Sequence, residues 1–570
     1  MALVAASFAQ SVPAAPRVSA ARAPLVLDIE RLRAVAVGRL PNDVPTCQVL
    51  VVGGGVGGVA AAEDLAQQGI ATILTEPAAL LGGQFTSQGV SVPDENRFIE
   101  QEHGPGTRHY RQLREQVRAA YAQMPGIVPA RAANVGQCWN SRVSGEPSVW
   151  ERAIRARLAP LLGPRGLRAV LTRTQLLAVH RYPGNGQIST VDVVDLDTRR
   201  ITRIGAQFVL DATETGDVLP LAGSPFALGQ EAQAVYGEPD APLGAHPEWV
   251  QSFTYSFDLR WVPQSAGPII PRPPGYDGFL AQGEYTLAYD YSDERGRVPY
   301  KMFTTAPDAA GPFWTYRRLV AASSFAGNPA YVQDIALINW RGNDYRDQSF
   351  IGQSVPDQVR ILSRARAFAQ GFLYWLQTAC PRDDGGQGCP ELQPAGDVLG
   401  GDGFAPAPYV RESRRLLSQT VLTENDLIPN PARPDRQTGT LFFDSVGTAL
   451  YPIDIHPARG EPPHLADALP YMLPLGAFVP RSGPANIIPS GKNIGASRLA
   501  SASARMHPTE WEAGEIAGTL AAFCLARAVR PADVRQNPAL LAAFQARLEA
   551  GGITTRWPDT APVFPASHPR

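Results

Sequence analysis

The chain has 570 residues, 44% of them hydrophobic, and a formal net charge of −2. Such a length buries a sizeable core in a few structural units, while the near-neutral charge offers no field to attract nucleic acid or an anionic membrane. No stretch approaches the roughly 20 consecutive apolar residues of a membrane-crossing helix, and five cysteines without CxxC spacing argue against zinc, so no metal site is expected.

Residues 1–45 are rich in Ala, Pro and Arg and read as an N-terminal extension. Ser7-Phe8-Ala9 before Gln10 has the spacing of a signal-peptidase site, yet the basic n-region is missing. A truncated signal peptide, which would imply export, and an ordinary tail of a cytoplasmic protein both stay open.

The first strong pattern is Gln48 to Val52, a short apolar run of the kind that forms a parallel strand buried on both faces. Gly53, Gly55, Gly57 and Gly58 follow, then the small-residue helix Val59 to Gln68 closed by Gly69, and a second strand Ala71 to Thr75 ending at Glu76. This βαβ unit carries GxGxxG in the context that gives the motif meaning. Gly53 is expected to make the tight turn, Gly55 to admit a pyrophosphate, and Gly58 to let helix and strand pack. Glu76 stands where a carboxylate accepts the hydroxyls of an adenosine ribose, and the helix N-terminus supplies free N–H groups to phosphates.

Gly166 to Val179, Ile188 to Asp197 and Ile201 to Leu210 are three β-prone runs, expected as an antiparallel meander. From about 224 to 474 the pattern changes to mixed strands and loops with one amphipathic helix, Asp357 to Thr378, as in an inserted substrate domain. Within it, Cys380 and Cys389 bracket PRDDGGQG, a loop that could close back on itself. A disulfide and two unpaired thiols both stay open. In Tyr451 to His456 (YPIDIH), strand alternation puts Asp454 and His456 on one face, where acid and imidazole can orient one another for proton transfer. A structural His-Asp pair fits equally. Arg411, Glu412 and Arg414 read either as substrate-binding charges or as an interdomain ion-pair network. His103 and His109, bordering Gly104-Pro105-Gly106, read as gate or surface residues. Asn486 to Pro489 is again a short buried strand, and Pro508 to Leu525 an Ala/Gly-rich helix. No internal repeat is visible.

Leu81-Gly82-Gly83-Gln84 resembles the flavin-proximal loop of FAD enzymes of the glutathione-reductase-like superfamily. Val209 to Asp217 (VLDATETGD), with Asp211, Gly216 and Asp217, resembles its DAT-G-D strand-turn. Asn486 to Gly518, with Gly491 and the helix start at Pro508, resembles its closing element, whose helix N-terminus faces the flavin. Together these motifs resemble the FAD-dependent oxidoreductase family, some members of which carry a xanthan lyase-like label. The resemblance implies an α/β, Rossmann-like FAD-binding fold of the glutathione-reductase-like type with an inserted mixed α+β substrate domain. The expected divisions are 46–223 and 475–530 for FAD binding, 224–474 for the substrate domain and 531–570 for a C-terminal tail. It implies hydride transfer from a small organic or sugar-like substrate to FAD, with His456, Asp454, Arg411 and Glu412 as catalytic candidates. The electron acceptor and the mode of flavin attachment are left open. A second GxGxxG unit is absent, so no NAD(P)H domain is implied. A flavin-containing RNA-modification-associated protein is the alternative, disfavoured by the lack of lysine clusters, and no lyase-type constellation is present.

Overall fold

The computed structural model describes residues 45–557 apart from 97, 101–105, 293 and 430–436. The extension, the signal-peptide reading, His103 and the end of the C-terminal segment lie outside the described residues.

Strand β1 (Thr46–Val52), helix α1 (Val56–Gln67) and strand β2 (Thr72–Glu76) form the expected unit, with β1 and β2 parallel. Helices α2 (Arg108–Ala122) and α3 (Pro147–Leu158) precede β3 (Leu167–Thr172), which pairs parallel with β2. The run Gly166 to Val179 therefore contains two strands. Arg173, at φ 56°, breaks it, and β4 (Thr174–Arg181) leaves in a new direction to join β5 (Ile188–Asp195) and β6 (Ile201–Asp211) as the antiparallel meander. The expected three-run meander is corrected accordingly. No Gly or Pro marks the break, because an L-residue can adopt this conformation where neighbours hold it: Arg173 N–H donates to the Ala78 carbonyl and its own carbonyl accepts from Leu196 N–H.

Strand β6 is long enough for two partners on one edge. Its first half pairs with β5, its second half with a strand returning from late in the chain, while β1 occupies its other edge. Alternate β1 residues face opposite cores: Val49 and Val51 meet the helices, and Leu50 and Val52 meet the meander side.

A separate aromatic core lies within 224–474. It is built on β7 (Phe257–Trp261), β8 (Arg318–Val320), β9 (Ile335–Ile338) and β10 (Leu392–Pro394), an antiparallel sheet in the order β8-β9-β7-β10, with helix α4 (Val355–Thr378). Cys380 and Cys389 follow α4 as free, buried thiols, and the loop between them does close back, through a bridge between Pro381 and Gln387.

The chain then runs through β11 (Ser445–Ala449), β12 (Ile453–Ile455), β13 (His464–Ala466) and β14 (Tyr471–Pro474) to the returning strand β15 (Ile487–Pro489). Helix α5 (Arg498–Ala504) and the wholly buried start of α6 (His507–Arg527) follow. Within the segment expected as a tail, α7 (Pro531–Gln536) and α8 (Pro538–Gly551) form, and α8 buries Leu541, Phe544 and Leu548 in the main core. Pro at the first helical position, Asn537 as N-cap and Gly552 in the left-handed conformation after the last turn supply the local signals.

Candidate active site

The glycine turn after β1 divides its residues by role. Gly53 has φ +105°, and a Cβ there would fall on the Ala212 carbonyl. A Cβ at Gly58 would overlap the Gly53 carbonyl and one at Gly57 the Ser490 carbonyl, so these two glycines let α1 seat against β1 and β15. Gly55 differs: its missing side chain meets side-chain tips, Glu214 Oε1 at 2.5 Å and Glu510 Oε1 at 4.0 Å. Gly83, at φ +49°, faces it across the same space, its Cβ position 2.9 Å from Gly55 Cα and 2.7 Å from Glu214 Oε1. Gly82, at φ +104°, is hemmed in by Ile154 instead.

Around this gap several buried polar atoms lack hydrogen-bond partners: Gln84 Oε1, Glu214 Oε1, Ser490 Oγ and Asn493 Oδ1. Native interiors rarely leave such atoms unpaired. A flexible side chain in front of two apposed glycines, ringed by unpaired polar atoms, fits a polar ligand that displaces the side chain. Lys492, paired with Glu214 and 3.6 Å from Glu510, puts a buried cation in the same place.

Glu76 is buried at the end of β2 and takes one backbone N–H on each oxygen, from Gly54 and Ala78, both at 2.7 Å. Burial pushes its carboxyl up to about 8 against the pull of those two bonds. Asp211 accepts from Thr213 N–H and hydroxyl and is pushed up to about 7 by burial. Gly216 (φ +64°) and Asp217 tie the following turn to the 411–415 segment, Asp217 accepting from Arg414 at 2.7 Å. Gly491 stands 3.4 Å, at its Cβ position, from Glu510. Pro508 lies in the first turn of α6, whose leading His507 anchors the loop after Gln84: its Nδ1 accepts from Asp94 N–H and its Nε2–H donates to the Val90 carbonyl. Burial pushes His507 down to about 3, so the ring is neutral.

A cleft is lined by residues of the segment 289–456, of the loop after Gln84 and of the α5–α6 junction: Asp94, Arg317, Arg341, Arg411, Asp454, His456, Arg505 and a set of tyrosines. His456 Nδ1 lies 2.5 Å from Asp344 Oδ2, and its Nε2 lies 3.3 Å from Asp454 Oδ2. Burial alone would raise both carboxyls. For Asp344 it is outweighed by Arg411 and His456, for Asp454 by His456, Arg341 and Arg505, so both stay ionised. Arg341 lies over Tyr289 and Arg411 over Tyr409, which limits where the guanidinium groups can go.

Of the expected catalytic residues, Arg411, Asp454 and His456 meet in this cleft. Glu412 does not line it. Successive residues of an extended segment point opposite ways, and Glu412 turns inward to accept from Arg415 (2.7 Å), Arg498 (3.1 Å) and the backbone N–H groups of Gly229 and Gln251. The ion-pair reading of that segment thus describes Glu412 and also Arg414, which pairs with Asp217. His109 sits on α2, 3.6 Å from Glu515. Asp94, Arg317 and Arg505 escaped the sequence reading, since nothing local distinguishes them.

A sequence profile of the FAD dependent oxidoreductase family matches residues 48–548. The chain belongs to that family. FAD is accordingly its cofactor, and the glycine gap beside Glu76 is the part of the described structure that fits it. Among curated proteins none matches the chain. Solved structures resemble parts of it: the rebeccamycin biosynthetic enzyme RebC with reduced flavin is 15% identical, over 53% of this chain and 52% of that one, at a TM-score of 0.25. OxyS anhydrotetracycline hydroxylase from Streptomyces rimosus is 17% identical, over 40% and 41%, at 0.24. The chain spans about half the length of these proteins or less. Among the described residues no helix is long and apolar enough to cross a membrane.

Proposed function

We propose that this FAD-dependent oxidoreductase removes a hydride from a carbon bearing a hydroxyl group on a small organic or sugar-like substrate held in the Asp94–Arg505 cleft. The scaffold is read as glutathione-reductase-like, with 46–223 and 475–530 building the cofactor side and 224–474 inserted as substrate domain. Residues expected to hold the cofactor are the Gly53–Gly58 turn, Glu76, Gly82, Gly83 and Gln84, with Asp211, Gly216, Asp217, Gly491 and the start of α6 at Pro508 shaping the surrounding walls. Bound FAD supplies the two-electron acceptor.

The observation that carries the reading is His456 between two ionised carboxylates in a cleft that also contains residues next to the cofactor loop. Nδ1 faces Asp344 as imidazole faces a carboxylate in hydrolytic triads, and a substrate hydroxyl entering between Nε2 and Asp454 Oδ2, 3.3 Å apart, meets both groups of that pair. The substrate hydroxyl proton passes to the His456–Asp454 pair as the hydride leaves carbon, giving a carbonyl product and balancing the two-electron oxidation. Arg341 and Arg411 hold the two carboxylates in place at 2.8 Å and 3.0 Å.

His456→Ala should slow flavin reduction by about 100-fold to 10,000-fold while leaving FAD content intact, measured by anaerobic stopped-flow absorbance. Normal reduction by the variant, or loss of FAD with it, would make His456 structural.

A further inference from the structure

The lining of the cleft is unbalanced in a way that describes its ligand. Among the described residues, five buried polar atoms of the lining have no hydrogen-bond partner, and all five are donors: Nε of Arg317, Arg341, Arg411 and Arg505, and Nε1 of Trp340. None of these unpaired buried atoms is an acceptor. An unmade buried donor is costly, so a ligand that brings several acceptor oxygens and few donors complements this wall.

Charge narrows the class further. Four arginines line the cleft against Asp94 and Asp454, with Asp344 directly behind Arg411. Three of the four are matched: Arg317 with Asp94 at 2.6 Å, Arg341 with Asp454 at 2.8 Å, and Arg411 with Asp344 at 3.0 Å. Arg505 is the remainder. Its nearest carboxylate oxygen is Asp454 Oδ2 at 3.9 Å, and its direct bonds go to the Tyr409 hydroxyl (3.0 Å) and the Asp454 main-chain carbonyl (3.1 Å). It is 3% exposed, so water does little to screen it. One unmatched buried guanidinium calls for one negative charge, in the planar form that guanidinium pairs best.

We propose that the substrate is a small hydroxy acid whose single carboxylate binds Arg505. The inference rests on the cleft being the substrate side of the flavoenzyme. Arg505 is also well placed to link acid recognition to the cofactor, because its main-chain carbonyl accepts from Gln84 Nε2 at 3.3 Å on the flavin-proximal loop.

The test uses the FAD-loaded full chain. Glycerate, L-lactate and gluconate are compared with glycerol, glucose and glycerol 3-phosphate, following thermal shift and perturbation of the flavin spectrum, then anaerobic bleaching. At least one hydroxy acid should bind in preference to its neutral and phosphorylated counterparts. Arg505→Gln should weaken that binding about 10- to 150-fold, the loss of a hydrogen-bonded charge pair, with FAD content unchanged. Absence of binding by every acid, or equal binding of glycerol, glucose or glycerol 3-phosphate, overturns the inference. If Arg505→Gln fails to fold, the comparison of acids with neutral counterparts on the unaltered protein decides. Acid binding without bleaching sustains the carboxylate and counts against the hydride reading; bleaching by neutral compounds alone does the reverse.

Discussion

Glu512 shows how much of this protein's pH behaviour sits in single buried side chains. It lies on α6, 1% exposed, with Oε1 accepting from Thr448 N–H at 2.8 Å and Oε2 unpaired. Burial pushes its carboxyl from 4.5 up to about 8. A raised carboxyl pKa means that the fold favours the protonated form. The contribution is therefore complete below the unfolded value and is lost as pH rises through about 8. Glu512→Gln, a neutral mimic, should match the parent in melting temperature near pH 4.5 and exceed it increasingly toward pH 8. A constant offset at all pH values would show that ionisation of Glu512 does not matter. At this scale the sequence was partly legible. Alternation in YPIDIH put Asp454 and His456 together, and the structure keeps them within 3.3 Å. The same rule applied to Arg411 and Glu412 would have sent only one of them into the cleft. Asp94, Arg317 and Arg505 come together from distant parts of the chain, and no local pattern records such a meeting.

Among elements, α1 and α6 pack closely along their length. A Cβ on Gly514 would overlap the Gly57 carbonyl, as one on Gly58 would overlap that of Gly53. Both positions join backbone to backbone, so the neighbours cannot yield by turning a side chain. Gly58→Ala and Gly514→Ala should each cost about 1–3 kcal/mol or more of stability, read from chemical denaturation. Gly55→Ala should instead leave the fold nearly unchanged and lower FAD affinity, since its neighbour is the end of a flexible Glu214 side chain. Equal destabilisation by all three would erase the distinction between packing and cofactor glycines. The βαβ unit, α4 and the returning strand were legible because each has a strong period or a glycine signature. The break at Arg173 was not, since its φ of 56° is imposed by tertiary hydrogen bonds. The C-terminal helices carry proline and asparagine caps, local signals of helix that the expected tail over 531–570 does not include.

The molecule as a whole sets a parallel sheet, whose glycine turn and Glu76 are proposed to receive the adenosine half of the cofactor, beside a polar cleft lined largely from 289–456. Family membership names the cofactor as FAD. The structure adds two apposed glycines at Gly55 and Gly83 and a carboxylate at Glu76, the set proposed to hold the adenosine diphosphate moiety. The most direct measurement is the flavin released when the purified protein is denatured, identified and quantified against protein. Equimolar FAD, strongly reduced in Gly55→Val, is the expected result; release of FMN alone, or FAD retained in full by Gly55→Val, would contradict the account.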